Sequence, residues 1–513
     1  MGAVITPGST ERYNASTLLD LVLDRGLAEK TAVEWTGGQL TYGDLFRRVC
    51  QATRTFAELG IRREDRILLV LDDSPTYVAA FLGAIRMGAV PVPVNPLLQY
   101  SEDYDHYFGD SLARLVVVDD LTAEKVKAAA GRAELKPPAL HGFPDDPDAS
   151  PVPPAATRRD DVAFWLYSSG STGKPKAVVH LQHDILHTCE TYAAEVLGIG
   201  EHDRTFSTTK LFHAYGLGNS LTFPLWAGAT SILLSGRPTP AVVLQTATEK
   251  RPTLFFSAPT LYNAMLNFAE FDQYNLSSIR HCVSAAESLP AEVWRRWKER
   301  TGLTILDGIG STEMLHIYCS NRRDDVMPGS SGKPVAGYEI KLLNDDGQPV
   351  PRGEAGDLYV KGDSALAFYW AQHEKTKKSI LGEWFFSGDR YRQDEQGNYW
   401  YEGRTDDIIK VSGLWVSPMD IEAALIEHPA IAESAVVGYA DADGLTKIRA
   451  FVVLKGGRAD EVQITGLQEH CKARLQRFQY PRDIVFVSDL PKTVTGKIQR
   501  YRLRDPAYLE GGA

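Results

Sequence analysis

A glycine- and hydroxyl-rich segment with the sequence YSSGSTGKPKAVVH, Tyr167 to His180, carries the strongest chemical signal of the chain. Its glycines Gly170 and Gly173 permit positive φ, so successive backbone N–H groups can point into one concavity. Short hydroxyl donors and two lysine cations complete the segment: Ser168, Ser169, Ser171, Thr172, Lys174 and Lys176. Donors and cations at this density are suited to binding a triphosphate.

This segment is not a Walker A loop. That loop has the pattern GxxxxGK[ST], whereas here only two residues separate Gly170 from Gly173 and Pro175 follows the lysine. A flexible surface loop is the alternative interpretation. We favour a phosphate site because strand-like residues precede and follow the segment, as in Val162 to Leu166.

The elements that must position this segment alternate between helical and strand-like patterns. The spacing predicts three helices and three short apolar strands: Thr17–Arg25, Tyr42–Leu59 and Tyr77–Met87, then Arg66–Leu71, Val90–Val94 and Arg114–Val118. Such alternation favours parallel sheets covered by helices. The stretch Lys136 to Ala156 is rich in Pro, Ala and Asp and is predicted to be a surface connection.

The pattern changes after about Val335. Two strands, Glu339 to Leu343 and Asp357 to Lys361, flank an Asp-Gly turn and predict a β-meander. Beyond Arg404 a compact α+β pattern follows, with helices and strands at Met419–Glu427, Glu433–Val437, Ile448–Leu454, Thr465–Arg474 and Ile484–Val487. We predict an α/β protein with a large N-terminal domain of βα-alternating sheets, a β-rich subdomain and a small α+β C-terminal domain.

Length, composition and charge exclude several classes of protein. A chain of 513 residues exceeds one hydrophobic core, so two or more domains are expected. The 43% apolar and 24% charged residues exclude a disordered, collagen-like or coiled-coil protein. With 55 Lys+Arg against 66 Asp+Glu, the net charge is −11, which gives no overall basic surface for nucleic acid. The longest apolar stretches, such as Ile67 to Leu71, are too short to span a bilayer.

Signals for cellular location are weak. Five scattered cysteines without a CxxC pair are typical of reduced thiols in a cytoplasmic protein: Cys50, Cys189, Cys282, Cys319 and Cys471. No export signal is visible. Met1-Gly2 followed by Thr6 fits the loose myristoylation pattern, although one acyl chain anchors a protein only marginally. We expect a cytoplasmic protein without nucleic-acid or membrane partners.

Six further motifs follow the first in order: HAYG (His213–Gly216), SAAE (Ser284–Glu287), DGIGSTEM (Asp307–Met314), SGD (Ser387–Asp389), GRTDDIIKVSG (Gly403–Gly413) and PKTVTGKIQR (Pro491–Arg500). With these motifs the sequence resembles the acyl-adenylate-forming superfamily of acyl- and aryl-CoA ligases, firefly luciferases and non-ribosomal adenylation domains. The resemblance covers nearly the whole chain. It implies ATP, Mg²⁺ and CoA as cofactor and cosubstrates.

The resemblance implies roles for individual residues in ATP binding. Thr312 would donate to a phosphate oxygen, and Glu313, a hard oxygen ligand, would bind Mg²⁺. Asp389 would accept hydrogen bonds from the ribose hydroxyls, with Arg404 as its partner. Small and polar residues would border the nucleotide: Ala285, Ala286, Glu287, Asp307 and Gly308. Without the resemblance, the small residues among these would indicate tight packing.

Adenylation is assigned by the resemblance to Lys497 in the TGK motif. A compact ammonium can neutralise both the attacking carboxylate and the bridging phosphate oxygen. The resemblance places residues 1–404 in an N-terminal ATP- and acid-binding domain, 405–407 in a hinge at Asp406, and 408–513 in a mobile lid domain. Rotation of the lid would exchange Lys497 for the face from Lys410 to Gly413, which borders the CoA channel.

Three longer strings, LFHAYGLGN, PTLYNAML and DGIGSTEMLHIYCSNR, resemble the benzoate-CoA ligase branch. The acyl pocket implied by that branch is lined by Ala214, Tyr215, Gly216, Ala285, Gly308, Ile309 and His316. We expect a flat slot for an aryl carboxylate. His213, assigned to catalysis, stands where the branch commonly has an aromatic residue, so 2-aminobenzoate or a hydroxybenzoate competes with benzoate as the substrate.

Several alternatives remain open from the sequence. His180, His183 and His187 could share a helical face as metal ligands, although the resemblance places this segment at the surface. The basic tail, Arg500, Arg502 and Arg504, could suggest nucleic acid, but the acidic chain favours a solvated, CoA-phosphate-facing role. The acyl acceptor could be a carrier protein rather than CoA. A P-loop NTPase and a non-enzymatic nucleotide-binding module are less favoured, and the protein is expected to be a monomer or homodimer.

Overall fold

The computed structural model describes residues 12–143, 150–168, 174–405, 409–411, 414–441, 445–455, 463–476, 479–492, 498–505 and 508. Its helices, in chain order, are α1 (Thr17–Asp24), α2 (Tyr42–Glu58), α3 (Pro75–Met87), α4 (Asp105–Ser111), α5 (Ala123–Arg132), α6 (Asp184–Thr188), α7 (Ala214–Leu217), α8 (Phe223–Ala227), α9 (Pro240–Lys250), α10 (Pro259–Leu266), α11 (Ala291–Thr301), α12 (His373–Ser379), α13 (Pro418–Ile426), α14 (Ile464–Lys472) and α15 (Arg500–Leu503).

The strands, in the same order, are β1 (Thr31–Trp35), β2 (Gly38–Thr41), β3 (Arg66–Val70), β4 (Val90–Pro93), β5 (Leu115–Val118), β6 (Ala139–His141), β7 (Val162–Ser168), β8 (Lys176–Leu181), β9 (Arg204–Ser207), β10 (Thr230–Ile232), β11 (Leu254–Ser257), β12 (His281–Ser284), β13 (Ile305–Gly310), β14 (Ile317–Ser320), β15 (Lys333–Pro334), β16 (Glu339–Leu343), β17 (Ala355–Lys361), β18 (Phe368–Tyr369), β19 (Ile380–Leu381), β20 (Trp384–Gln393), β21 (Tyr399–Arg404), β22 (Ile409–Val411), β23 (Leu414–Val416), β24 (Ile431–Ala440), β25 (Thr446–Leu454) and β26 (Asp483–Phe486).

Two sheets of the N-terminal portion confirm the predicted parallel architecture. A nine-stranded sheet has the order β15-β14-β13-β12-β11-β9-β10-β1-β2 and is parallel from β13 through β1. A four-stranded parallel sheet has the order β4-β3-β5-β6. The prediction that Lys136 to Ala156 is only a surface connection was wrong at Ala139–His141, because this short segment adds an edge strand to β5.

Antiparallel pairing predominates in the remaining sheets, although β25 and β26 pair in parallel. Strands β18, β8 and β7 form a three-stranded sheet, and β16, β17, β20 and β19 form a meander to which β21 adds on β20. Near the C-terminus, β24, β25 and β26 form a sheet that shares an apolar core with α13 and α14. This fold confirms the predicted class, while the domain boundary at residue 404 stays a prediction.

Local signals set the ends of the helices that cover the four-stranded sheet. Helix α2 begins at a capping box in which Thr41 and Asp44 satisfy each other's backbone N–H groups. Helix α3 begins with Ser74 as N-cap and Pro75 in its first turn, and it ends at Gly88 in the left-handed conformation. In the part of the chain that the structure describes, no helix is both long and apolar enough to cross a bilayer.

A buried ion cluster joins the carboxyl ends of the two parallel sheets. Lys210, which precedes the HAYG motif, donates to Asp72 Oδ1 at 2.8 Å and to the carbonyl of Leu234 at 2.5 Å. The Leu211 N–H donates to Asp73 Oδ1 at 3.0 Å. Burial raises the pKa of Asp73 to about 6. The cluster fixes the loop that leads into HAYG.

We predict that Lys210→Met lowers the free energy of unfolding by about 3–5 kcal/mol, because it leaves two buried carboxylates without their cation. The native pKa of Asp73 lies above its unfolded value, so protonation of Asp73 near pH 6 favours the native state. The loss of unfolding free energy in Lys210→Met, measured in urea, is therefore larger at pH 8, where Asp73 is charged, than at pH 5. Lys127→Met, at an exposed position on α5, serves as the control. A loss independent of pH would contradict the assignment.

Candidate active site

The phosphate segment connects two paired strands. Ser168 ends β7 and pairs with Lys176 at the start of β8, so these two strands form an antiparallel hairpin. Lys174 is exposed just before β8. Ser169, Gly170, Ser171, Thr172 and Gly173 lie outside the described residues. The pairing brings the first hydroxyl and the last cation of the motif to one end of the three-stranded sheet.

The turn that carries Thr312 and Glu313 lies at this end. It follows β13 as a short 3-10 helix, Thr312–Met314, capped by the Ser311 hydroxyl. Glu313 Oε1 accepts hydrogen bonds from the Tyr369 hydroxyl at 2.9 Å and from Ser168 Oγ at 3.4 Å. The GSTE motif of the nine-stranded sheet and the phosphate motif of the three-stranded sheet therefore meet, as one nucleotide site requires.

A buried histidine supports the same turn. His180 Nε2 lies 2.8 Å from the Thr312 carbonyl oxygen, and its Nδ1 lies 2.7 Å from Asp184 Oδ2. Both side chains are fully buried. The expectation that this segment lies at the surface was wrong for His180, because its ring stacks on Phe164 and bonds to Asp184 and to the Thr312 turn. Among the described residues, no cluster of three or more His, Cys, Asp or Glu side chains could hold a metal ion.

Positive charge gathers around Tyr369. The Lys176 Nζ lies 5.9 Å from the centre of the Tyr369 ring, and the Lys375 Nζ lies 5.1 Å from it. Burial and the neighbouring Lys375 ammonium lower the pKa of Lys176 to about 8, although Glu313 opposes this shift. Sequence reasoning missed Tyr369 and Lys375, since neither belongs to a motif that spacing identifies.

The two residues assigned to the ribose are neighbours in the meander. Asp389 on β20 pairs in register with Arg404 on β21, and Arg404 Nη1 donates to Asp389 Oδ1 at 3.0 Å. Arg404 also donates to the Ser387 carbonyl at 2.9 Å. Gly388 adopts a φ of +74°, and a Cβ there would lie 2.7 Å from Arg404 Nη2. The SGD motif therefore requires its glycine.

The residues expected around the nucleotide base lie at the ends of adjacent parallel strands. Ser284 on β12 pairs with Asp307 on β13. Burial raises the pKa of Asp307 well above its usual range. Ala286 has a φ of +76°, a left-handed conformation that is strained for alanine. Glu287 accepts a hydrogen bond from Thr260 Oγ1 at 2.6 Å. The left-handed conformation of Ala286 turns the chain sharply at the strand ends, where α/β sheets bind ligands.

The two histidines of the acyl pocket differ in their hydrogen bonding. His316 Nε2 lies 3.1 Å from Asn219 Oδ1, whereas its Nδ1 is buried and has no partner among the described residues. Burial lowers the pKa of His316 to about 3 and that of His213 to about 4. His213 Nε2 is likewise buried and has no hydrogen-bond partner among the described residues. Both rings are therefore neutral at pH 7, and each retains an unpaired polar atom.

Close approach of the protein backbone explains the glycines of the pocket. A Cβ on Gly216 would lie 2.1 Å from the Lys210 carbonyl oxygen, and one on Gly308 would lie 2.8 Å from the Cys319 carbonyl oxygen. Both positions require glycine because protein backbone approaches them. The ring of Tyr215 packs 5.5 Å from His316, and its hydroxyl donates to the Val283 carbonyl at 3.3 Å. Tight packing, the alternative considered above, accounts for these glycines.

Three more expected residues, Lys497, Asp406 and Gly413, lie outside the described residues, as does the side chain of Lys410. The backbone of Lys410 belongs to β22, which pairs with β23. Ala214 lies on α7, Ile309 on β13 and Ala285 directly after β12, and their contact with an acid stays a prediction.

Glu313, just after β13, lies beside the β7–β8 hairpin, and Asp389 and Arg404 pair on adjacent strands, which is the arrangement expected of a nucleotide-binding enzyme. Comparison with protein families identifies the class. Residues 24–370 match the model of the AMP-binding enzyme family, and residues 420–497 match the model of the AMP-binding enzyme C-terminal domain. The chain belongs to this family.

Individual relatives are similar over nearly the whole chain. A benzoate-CoA ligase of Thauera aromatica is 46% identical over 514 residues, 96% of either chain. The structure of a benzoate CoA ligase from Burkholderia xenovorans LB400 is 45% identical with a TM-score of 0.89, covering 96% of this chain and 100% of that one. The anthranilate CoA ligase AuaEII in complex with anthranoyl-AMP is 39% identical with a TM-score of 0.91, covering 96% of each chain. These likenesses confirm the resemblance to the benzoate-CoA ligase branch.

The contact of His180 with the Thr312 carbonyl predicts a positioning role. We expect His180→Gln to lower kcat for pyrophosphate release about tenfold, as loss of an outer-shell partner does at metal sites, while KM for ATP changes little. His281→Gln is the matched control, because His281 is buried at the start of β12, at the end of that strand opposite Ser284. If both variants lost equal activity, or if KM for ATP rose in proportion, the positioning role would be wrong.

Proposed function

We propose that the protein is an aryl-CoA ligase. It activates a benzoate-type carboxylate with ATP, releases pyrophosphate and transfers the acyl group from aryl-AMP to CoA, with AMP as the second product. The observation that carries this proposal is the convergence of Glu313 with Ser168 of the phosphate hairpin. The similarity to benzoate and anthranilate CoA ligases supports the choice of an aryl acid.

Adenylation requires a bond between a carboxylate oxygen and the α-phosphorus of ATP. The bond from that phosphorus to the oxygen bridging to the β-phosphate breaks, and pyrophosphate leaves with the electron pair. Negative charge from two anions gathers in the transition state, so preorganised donors and cations lower the barrier. In our proposal Thr312 donates to the phosphate, and Lys497 neutralises the carboxylate and the bridging oxygen.

The donor set at Glu313 fits a magnesium ion held mainly by substrate. Mg²⁺ bound with nucleotides typically takes one or two carboxylates plus phosphate oxygens and water. Glu313 supplies one carboxylate, and its Oε1 is kept in place by Tyr369. A bound Mg²⁺ would neutralise phosphate charge. The chain itself contributes the orientation of this ligand.

Thioester formation starts from the same aryl-AMP but needs a different segment of the lid beside it. The CoA sulfur attacks the acyl carbon, and the bond from that carbon to the phosphate oxygen breaks. One site cannot hold both an ammonium over the phosphate and a pantetheine channel. We therefore propose that the lid, residues 408–513, turns about Asp406, so that Lys497 leaves and the segment from Lys410 to Gly413 enters.

His213 favours a ring that carries a hydrogen-bonding group. Its buried Nε2 lacks a protein partner among the described residues, and leaving such an atom unpaired costs about 1–3 kcal/mol. An amino or hydroxyl substituent on the ring could satisfy it. His316, at the pocket floor in this proposal, bonds to Asn219 through Nε2, and its unpaired Nδ1 could be satisfied by a ring substituent in the same way. Benzoate, 2-aminobenzoate and the hydroxybenzoates are the candidate acids.

We predict efficient AMP and aryl-CoA formation from benzoates and poor turnover of octanoate, because the pocket is built for a planar ring. The measurement is kcat/KM for benzoate, 2-aminobenzoate, 2- and 4-hydroxybenzoate and octanoate, with AMP and thioester quantified separately. The substituted acid should lose its advantage over benzoate in His213→Phe.

Several outcomes would contradict the proposal. Efficient octanoate turnover would refute the aryl slot, and ADP in place of AMP would refute adenylation. Acid-dependent AMP release without any CoA thioester would favour a carrier protein as the acceptor. A preference for bare benzoate that persists in His213→Phe would show that His213 does not contact the ring.

A further inference from the structure

A strained backbone turn lies between Glu313 and His316. The His316 N–H donates to the Met314 carbonyl at 2.8 Å, which closes a γ-turn centred on Leu315. Leu315 has a φ of +65° and a ψ of −33°. A γ-turn with positive φ at its central residue is rare and strained. The strained residue is therefore one of only two that separate Glu313 from His316.

Leu315 differs in its burial from the other residues with positive φ. In the described part of the chain, the other non-glycine residues with positive φ are all exposed: Glu64, Leu112, Lys136, Arg251, Ala286 and Ala371. Leu315 is buried in the large apolar core, with 4% of its surface exposed. Such a conformation persists only where the surrounding structure over-determines it. The contacts around Leu315 therefore impose this turn.

The backbone just before Leu315 is bonded to the loop that precedes β18. The Glu313 carbonyl accepts from the Leu366 N–H at 2.7 Å, and the Met314 carbonyl accepts from Ser364 Oγ at 2.8 Å. Ser364 Oγ also lies 2.7 Å from the Tyr338 hydroxyl, so this side chain is itself held in place. Two successive carbonyl groups of the turn are thus fixed from outside it.

The residue just after Leu315 is fixed by close packing. His316 Nε2 lies 3.1 Å from Asn219 Oδ1, and the Phe223 ring packs edge-on at 4.5 Å. A Cβ on Gly218 would lie 2.4 Å from His316 Cδ2, and one on Gly310 would lie 2.5 Å from the His316 carbonyl oxygen. Neither the ring nor the backbone of His316 can shift without displacing protein atoms, so the strain stays in the turn.

We propose that the γ-turn at Leu315 sets the spacing between the acid and the nucleotide, which makes Leu315 a positioning residue of adenylation. This rests on the proposed function, in which Glu313 serves the nucleotide and His316 lies at the floor of the acid pocket. Reacting atoms must lie about 3–3.5 Å apart, and a misplacement of about 1 Å can cost on the order of 10²-fold in rate. Because both residues belong to one short turn, its conformation determines whether carboxylate and phosphorus meet.

Three variants separate the backbone conformation of Leu315 from its side-chain packing. Leu315→Ile keeps the composition of the side chain, but its β-branch strongly disfavours positive φ. Leu315→Gly adopts positive φ without strain and removes the side chain. Leu315→Met keeps an unbranched side chain of similar volume and is the matched control. We expect Leu315→Ile to be the most impaired in function, although Leu315→Gly is the least stable in urea.

The experiment measures by calorimetry the binding of AMP, benzoate and benzoyl-sulfamoyl adenosine, a non-hydrolysable analogue in which acid and nucleotide are joined. Leu315→Ile should bind AMP and benzoate nearly as the unchanged protein does. It should bind the joined analogue about tenfold more weakly, because that ligand spans the two sides at a fixed length. In the same variant kcat for pyrophosphate release should fall while KM for ATP and for benzoate changes little. Leu315→Met and Leu315→Gly should retain most affinity for all three ligands.

Equal affinity of Leu315→Ile and Leu315→Met for the joined analogue would overturn the inference. A larger loss in Leu315→Gly than in Leu315→Ile would also overturn it, because the effect would then come from side-chain packing. So would a parallel loss of all three affinities in Leu315→Ile. If Leu315→Ile or Leu315→Gly does not fold, comparison of the other with Leu315→Met decides. Failure of the unchanged protein to bind the joined analogue would instead refute the proposed function, and the inference with it.

Discussion

The Tyr369 hydroxyl donates to Glu313 Oε1 at 2.9 Å, and this contact links two separate sheets. Glu313 follows β13 of the nine-stranded sheet, while Tyr369 belongs to β18 of the three-stranded sheet. The Leu366 N–H donates to the Glu313 carbonyl at 2.7 Å, so the backbone of the turn is held from the same side. Around this contact lie the β7–β8 hairpin, Lys176, Lys375 and His180.

Charge is segregated across the site, and burial is the cause. Cations gather near the phosphate hairpin, where Lys176, Lys375 and Arg404 face Glu313. The acyl side contains neutral imidazoles, because burial lowers the pKa of His213 to about 4 and that of His316 to about 3. An aryl carboxylate would therefore enter with its ring among neutral groups and its charge toward the cations. His213 can then act through a hydrogen bond and not as a cation.

Sequence reasoning identified the parts of the site that lie within short motifs. Ser168 came from motif composition, whereas the roles of Glu313, Asp389 and Arg404 came from the family resemblance. The structure places Asp389 and Arg404 on adjacent strands of one meander. The alternation of helices and strands predicted both parallel sheets. The contacts of Lys176 with Tyr369, and of Lys210 with Asp72, were not predictable because they join residues far apart in sequence whose spacing carries no periodic signal. His180 was misplaced at the surface for the same reason, since its partner Thr312 lies 132 residues away.

The central claim is that the turn carrying Glu313 serves the adenylation step. The direct test compares the two half-reactions in Glu313→Gln, a variant of similar size whose folding is checked by urea unfolding. Aryl-AMP formation from ATP and benzoate should fall on the order of 10²–10³-fold, as expected for loss of a preorganised charge. Thioester formation from supplied benzoyl-AMP and CoA should remain within a few-fold of the unchanged protein. Equal losses in both half-reactions, or undiminished aryl-AMP formation, would contradict the claim.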